Sequence, residues 1–341
     1  MLIRACDNAA FKLGRHASVA SVVVWATFAF ICIGSAHAAP FAYISNDDGT
    51  VSVIDIATNI LATTIPVGRS PVGVAVNAGG SRVYVTNSDD NTVSVINTIT
   101  RTVTKTIDVG IGPEGVAVSP SGKRVYVTNY GSDSVSVIKV GKGMHAKSNV
   151  AATIAVGALP LGVVVSPDGS LVYVANNGVS NSISVISTIN NKVIATIPIG
   201  GVSGAGPAGL VLNPAGTVLY ATKLVGNIVS VIDTATNAVT ATIGVGSLPT
   251  AIAINPLGTR VYVANLNSND VSVIDTATNT VIATVPVGSN PFGIDVTPNG
   301  ELIYVANNLS NNVTVIDAAT NTVTATIPAG TGPEAFGVFI R

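Results

Sequence analysis

A tetrapeptide of tyrosine, an aliphatic residue, a small residue and asparagine recurs along this chain at nearly constant spacing. It reads Tyr43-Ile44-Ser45-Asn46, Tyr84-Val85-Thr86-Asn87, Tyr126-Val127-Thr128-Asn129, Tyr173-Val174-Ala175-Asn176, Tyr220-Ala221-Thr222-Lys223, Tyr262-Val263-Ala264-Asn265 and Tyr304-Val305-Ala306-Asn307. The tyrosines stand 41, 42, 47, 47, 42 and 42 residues apart. Seven units with a period near 42 predict a radial array of four-stranded blades.

Every unit has the same grammar. In Pro71 to Gly110, apolar runs at Val72 to Val76, Arg82 to Thr86, Thr92 to Ile96 and Val103 to Val109 are separated by turn clusters rich in Gly, Asn, Asp, Ser and Thr. Such runs read as four antiparallel strands, here called A to D. The strands alternate Val and Ile with Ser, Thr or Ala, and rarely with charge. Both faces of each sheet must therefore be covered, and neighbouring blades supply the cover. The fold class this predicts is all-β: a seven-bladed β-propeller of four-stranded antiparallel blades.

The ends of the chain predict how the ring closes. The proline opening strand A precedes the tyrosine of strand B by 13 residues in six units, from Pro71 to Tyr84 through Pro291 to Tyr304. A seventh proline, Pro333, is followed by only eight residues, while Phe41 to Ser45 forms a strand B with no strand A before it. The C-terminal strand is expected to become the innermost strand of the first blade, which removes the open edges. Two units are longer, by Gly141 to Asn149 between strands C and D and by Gly200 to Gly206 before a strand A.

Residues 1–38 read as a secretory signal peptide, and residues 39–341 as one propeller domain. Arg4, Lys12 and Arg15 precede an apolar run from Val19 to Ile33, and Ala36-His37-Ala38 is a cleavage signature. Cleavage would remove both cysteines, the tryptophan and two of three histidines, and leave no transmembrane span. The remainder carries 13 Lys and Arg against 16 Asp and Glu, which is no footprint for nucleic acid. The expected location is periplasmic, secreted or cell-surface.

The recurring units resemble the YVTN family of β-propeller repeat proteins, over essentially the whole chain after residue 38. Asn265 to Val287 (NLNSNDVSVIDTATNTVIATVPV) carries the longer form of the pattern, whereas the fifth unit departs from it at Lys223. The resemblance implies a propeller of a surface-layer-like or exported type. It carries no catalytic residue with it.

Two motifs imitate chemistry. Gly110 to Gly115 and Gly204 to Gly209 match G-x-G-x-x-G but lie between two strands, so they are expected to be tight turns rather than dinucleotide sites. In these Pro-x-Gly connections the proline fixes φ and the glycine takes a close or left-handed turn. The Asp-Thr-Ala-Thr-Asn segments at Asp233 and Asp275 are expected to bond their own C-to-D turns. His145 and Met144 are the only His and Met beyond residue 38, too few for a haem, copper or zinc centre.

The candidate ligand-binding face is the one shared by the D-to-A and B-to-C turns. In the first three units it carries Asp47, Asp48, Asp89, Asp90, Glu114 and Asp133, joined by Glu334 through the closing strand, with Arg69 the one basic residue. In the other four units these turns hold Asn176, Asn177, Asn265, Asn267 and Asn290, with Asp270 the lone acid and Lys223 the lone base. Solvated turn aspartates explain such an arc; so does recognition of a cation, a basic segment or a polar glycan. Asp295 is a second candidate, since the same place in the other inner strands holds Ala75, Ala117, Val164, Val211, Ala253 and Gly337, and Phe292 lies three residues before it. A carboxylate there must be solvated, paired or bound to a metal.

These features point to a non-enzymatic binding scaffold for a protein, glycan or small-molecule partner, with no obligatory cofactor. Two alternatives stand beside it. One is a lactonase or hydrolase using channel-mouth carboxylates such as Asp295, Glu114 and Glu334, with Ca²⁺ as the ion such oxygens would hold. The other is an accessory protein of an exported redox system.

Overall fold

The computed structural model describes residues 41–141, 148–200 and 206–341. The expected signal peptide, the Lys142 to Lys147 loop and most of the Gly200 to Gly206 loop lie outside the described residues. Seven antiparallel sheets are arranged as a propeller. Blade 1 contains β1 (Phe41–Asn46), β2 (Thr50–Asp55) and β3 (Ile60–Pro66). Blade 2 contains β4 (Pro71–Val76), β5 (Arg82–Asn87), β6 (Thr92–Asn97) and β7 (Thr102–Asp108). Blades 3 to 7 repeat this pattern, with inner strands Pro113–Val118, Pro160–Val165, Pro207–Leu212, Pro249–Ile254 and Pro291–Val296. A 3-10 turn at Tyr130–Ser132 is the only helical segment among the described residues.

The repeated tetrapeptide is explained by contacts between blades. Its tyrosine is buried against the next blade: Tyr84 packs with Val116, Val125 and Val127 of blade 3, and Tyr304 with Val51 and Val53 of blade 1. Its threonine ties blades together. Thr128 Oγ1 accepts the Gly115 N–H of its own inner strand at 2.8 Å and donates to the Leu161 carbonyl of blade 4 at 2.6 Å. Thr86 and Thr222 make the same two bonds to Gly73 and Glu114, and to Gly209 and Thr250. Blade 6 has Ala264 in that place, and Thr250 of its inner strand reaches the Phe292 carbonyl of blade 7 instead, at 3.1 Å. The asparagine holds the upper turns. Asn87 donates to Thr92 and Ser94 and accepts the Gly68 N–H at 3.0 Å. In the fifth unit Lys223 replaces it, and its Nζ donates to the Gly200 carbonyl.

The glycine of Pro-x-Gly serves close approach. A Cβ on Gly73 would lie 2.1 Å from the Glu114 carbonyl of the next blade, and one on Gly115 would lie 2.3 Å from that of Leu161. In six of the seven units the left-handed residue is the one before the proline: Ser70, Gly112, Leu159, Leu248, Asn290 and Gly332 all have positive φ. Of the two expectations for the glycine after the proline, close approach holds, and the left-handed conformation does not. The C-to-D turns at Asp233 and Asp275 are Asx turns as the sequence suggests, with Asp233 Oδ1 accepting Thr236 N–H at 2.8 Å and Asp275 Oδ1 accepting the N–H groups of Ala277 and Thr278 at 2.9 and 3.0 Å.

Residues 333–341 close the ring in the innermost place of blade 1. Glu334 N–H donates to Ser45 O at 2.9 Å, and Tyr43 N–H to Phe339 O at 3.0 Å. Between these points the segment leans away from β1 and bonds β4 in parallel, through Phe336 N to Val72 O, Val74 N to Phe336 O and Val76 N to Val338 O. Gly337, at φ +133, makes that excursion. Phe339 and Ile340 are fully buried in the blade 1 core.

Candidate functional site

The D-to-A and B-to-C turns meet on one face, here the upper face; the other two turn types form the lower face. Around the upper rim of the central channel, the second residue of each inner strand follows in the order Glu334, Val72, Glu114, Leu161, Ala208, Thr250 and Phe292. Two glutamates thus flank one valine. Both are half-buried. Burial pushes Glu114 up to about 7, against the opposing hydrogen bond from Ser88 Oγ at 3.3 Å. Burial pushes Glu334 up to about 8, reinforced by the negative charges of Asp47 and Glu114. Asp47 is itself raised by burial and by Asp48, with a hydrogen bond from the Asn308 side chain working the other way. Desolvation and like charge both disfavour ionisation of these groups.

The other acids of the arc serve their turns. Asp48 accepts from Thr50 and, across the closing seam, from Thr331 N–H at 3.1 Å. Asp89 accepts from Ser70 Oγ at 2.9 Å, and Asp133 from Leu159 N–H at 2.8 Å. Asp90 takes the backbone N–H of Arg69 at 2.8 Å and its Nε at 2.6 Å; those bonds hold Asp90 below the usual carboxylate range. Asp270 accepts from Asn265 at 2.6 Å. Of the sequence candidates, the structure therefore brings together Glu114, Glu334 and Asp47 as carboxylates coupled by charge. The arc looked uniform in sequence because Asp in a turn and Glu on an inner strand are both acidic.

Asp295 lies on another level of the channel. It lines a cavity of about 590 Å³ with Arg341 and the small residues of the inner strands. It is buried, its Oδ1 accepts Val296 N–H at 2.8 Å, and its Oδ2 accepts Ile340 N–H at 2.9 Å. Burial pushes its carboxyl up to about 7, while these N–H groups and the Arg341 charge act in the opposite direction. Its Oδ2 thus holds the closing segment, while its Oδ1 bonds its own strand. Phe292 packs edge-on against Phe336, with ring centroids 6.0 Å apart, and puts an aromatic wall beside Glu334 on the rim. Ser88 and Asn308, which bond these acids, are not evident from composition; their adjacency appears only once the turns are stacked.

Among solved structures, the fold is similar to a chain of Kuenenia stuttgartiensis hydrazine synthase, at 24% identity and a TM-score of 0.74 over 81% of this chain and 92% of that one. It is also similar to a functionally unknown protein from Desulfotomaculum acetoxidans DSM 771, at 16% identity and a TM-score of 0.70 over 87% of this chain and 99% of that one. Both likenesses concern the fold alone. No curated protein matches the sequence. The YNCE-like beta-propeller family matches residues 73–254 and 250–340, which together span most of the chain, and the protein belongs to that family.

Proposed function

We propose that this protein is an exported, non-enzymatic scaffold of the YVTN-repeat kind that binds a partner through its upper face, and that a cationic group of the partner seats over Glu334, Val72 and Glu114. The observation supporting this reading is the charge coupling of Glu114, Glu334 and Asp47 on one rim. A cation placed there relieves the repulsion and favours the ionised forms, so protons leave as the partner binds. The rigid ring fixes the inner strands and turns that carry the acids, which limits the ordering lost on binding. Phe292 and Val72 supply apolar contact beside the charge.

The test is titration of the purified protein with a lysine-rich peptide by calorimetry, repeated with the Glu114→Gln/Glu334→Gln variant. Saturable binding, lost in the variant and accompanied by proton release at neutral pH, is expected. Equal binding by both proteins refutes the reading. The raised carboxyls also support a second reading, because a carboxyl held near neutral pH suits general acid–base work. Turnover of a lactone or ester that the same variant loses would favour the hydrolase.

A further inference from the structure

On the lower face, the last residue of the third strand lies opposite the first residue of the second. In blade 6 these are Asp275 and Arg260, which form an ion pair. Asp55, Asp233 and Asp317 hold the same place in blades 1, 5 and 7. Blades 2, 3 and 4 lack this acid; blade 4 sets Ser187 opposite Leu171, whereas in blades 2 and 3 the opposite residue is basic. Blade 2 sets Asn97 opposite Arg82. Blade 3 sets Lys139 opposite Arg124, two like charges on one rung, an arrangement that destabilises a sheet. Blades 1, 5, 6 and 7 show that the fold itself accepts an aspartate there.

The two basic rungs converge on one place. A groove of about 680 Å³ runs between blades 2 and 3 on this face, lined by Arg82, Lys123 and Lys139 together with Asn77, Asn97 and Ser121. No carboxylate among the described residues lines it. Among the described residues, neither Lys123 nor Lys139 has an acid within ion-pair distance. Arg82 is held in position by the Tyr84 side chain and by the Gly141 carbonyl at 3.4 Å. Ile99, 85% exposed, and Val140 form an apolar rim.

We propose that this groove binds a phosphate or sulfate group borne on a larger organic body. Three cations with amide and hydroxyl donors between them match a multiply charged oxyanion. The groove is far larger than the anion, so the remaining volume and the Ile99 rim take the body that carries it. The site lies on the face opposite the glutamate rim, and either reading can fail without the other.

Calorimetric titration of the purified protein with inorganic phosphate, inorganic sulfate and phosphatidylglycerol vesicles tests the proposal. The decisive variant is Lys139→Asp, with Lys192→Asp as a control of equal charge change. Lys139→Asp places at 139 the residue that blades 1, 5, 6 and 7 carry, so it is expected to fold and to melt no lower than the parent. Lys123→Ser provides a second variant in the same groove. The parent is expected to bind phosphate or sulfate saturably, with affinity lowered roughly tenfold or more by Lys139→Asp and unchanged by Lys192→Asp. Vesicle binding that free phosphate displaces would assign the anion to a lipid; phosphate binding without vesicle binding would assign it to a soluble ester. No heat with either ion at millimolar concentration, or equal binding by the parent and the Lys139→Asp and Lys123→Ser variants, overturns the proposal.

Discussion

The carboxylate of Asp295 accepts the backbone N–H of Ile340 at 2.9 Å, joining the inner strand of blade 7 to the segment that completes blade 1. The bond is buried. Its removal leaves the buried Ile340 N–H without that acceptor. Asp295→Ala is expected to destabilise the protein by about 1–3 kcal/mol, with Asp295→Asn milder because one acceptor oxygen remains. Alanine fits sterically, since Ala75 and Ala253 occupy the same place in blades 2 and 6. Urea unfolding of the three proteins measures the difference, and an unchanged midpoint for Asp295→Ala would contradict the role assigned to this bond.

Removal of residues 336–341 should have a larger effect. Phe339 and Ile340 fill the blade 1 core, and β1 would lose its inner neighbour. The shortened protein is expected to melt well below the parent and to aggregate through the exposed strand edge. Phe339→Ala alone should remove about 3–5 kcal/mol. Light scattering during a thermal ramp reads both effects.

Stability should fall as pH rises through neutrality. Glu114, Glu334 and Asp295 release their protons near 7 to 8 in the folded protein, but near about 4 in the unfolded chain. Between those values the folded state binds more protons, so raising the pH favours unfolding. Asp168 acts in the opposite sense: hydrogen bonds from Ser166 and Ser170 hold it down to about 2, and the stability it contributes is lost only as pH falls towards that value. Calorimetric melting is expected to give the highest Tm in the weakly acidic range. Glu114→Gln/Glu334→Gln should flatten the alkaline side; a parent Tm that rises from weakly acidic to weakly alkaline pH would refute the assignment.

The threonine bridges predict a distinction between blades. Thr128→Val keeps the shape of the side chain and removes both its bonds, leaving the buried Gly115 N–H without its acceptor. A loss of about 1–3 kcal/mol is expected. Thr250→Val in blade 6 should cost a comparable amount, although Thr250 sits on a different strand from Thr128. Chemical unfolding of each single variant checks this, and a neutral Thr250→Val would remove its role as the substitute bridge.

The tyrosine spacing and the constant 13 residues from proline to tyrosine made the blades, their number and the closing segment legible in sequence, because repeat position translates directly into place on the ring. Side-chain partnerships were less legible. Asp89, Asp90 and Asp133 could not be told from Glu114 and Glu334 by charge alone. They differ in reach: a turn aspartate meets neighbouring N–H groups, whereas a glutamate on an inner strand points to the rim and finds other acids. Asp295 stood out as a carboxylate among small residues, but its partner Ile340 lies 45 residues further on and no spacing rule couples them. The glycine of Pro-x-Gly was legible as a close approach; that the residue before the proline takes the left-handed conformation was not.

Ser45 and Ala335 share a hydrogen bond across 290 residues of sequence, and that separation has a consequence in time. During synthesis β1 emerges early, and its innermost partner follows roughly 15 to 60 s later at the usual pace of 5–20 residues per second. Over that interval the inner edge of β1 presents unpaired N–H and C=O groups, and any passing strand edge competes for them. The yield of closed rings is then a contest between two rates, arrival of the last strand and capture of the first, and a variant that leaves the finished ring as stable as before can still lower the yield by slowing the chain's end.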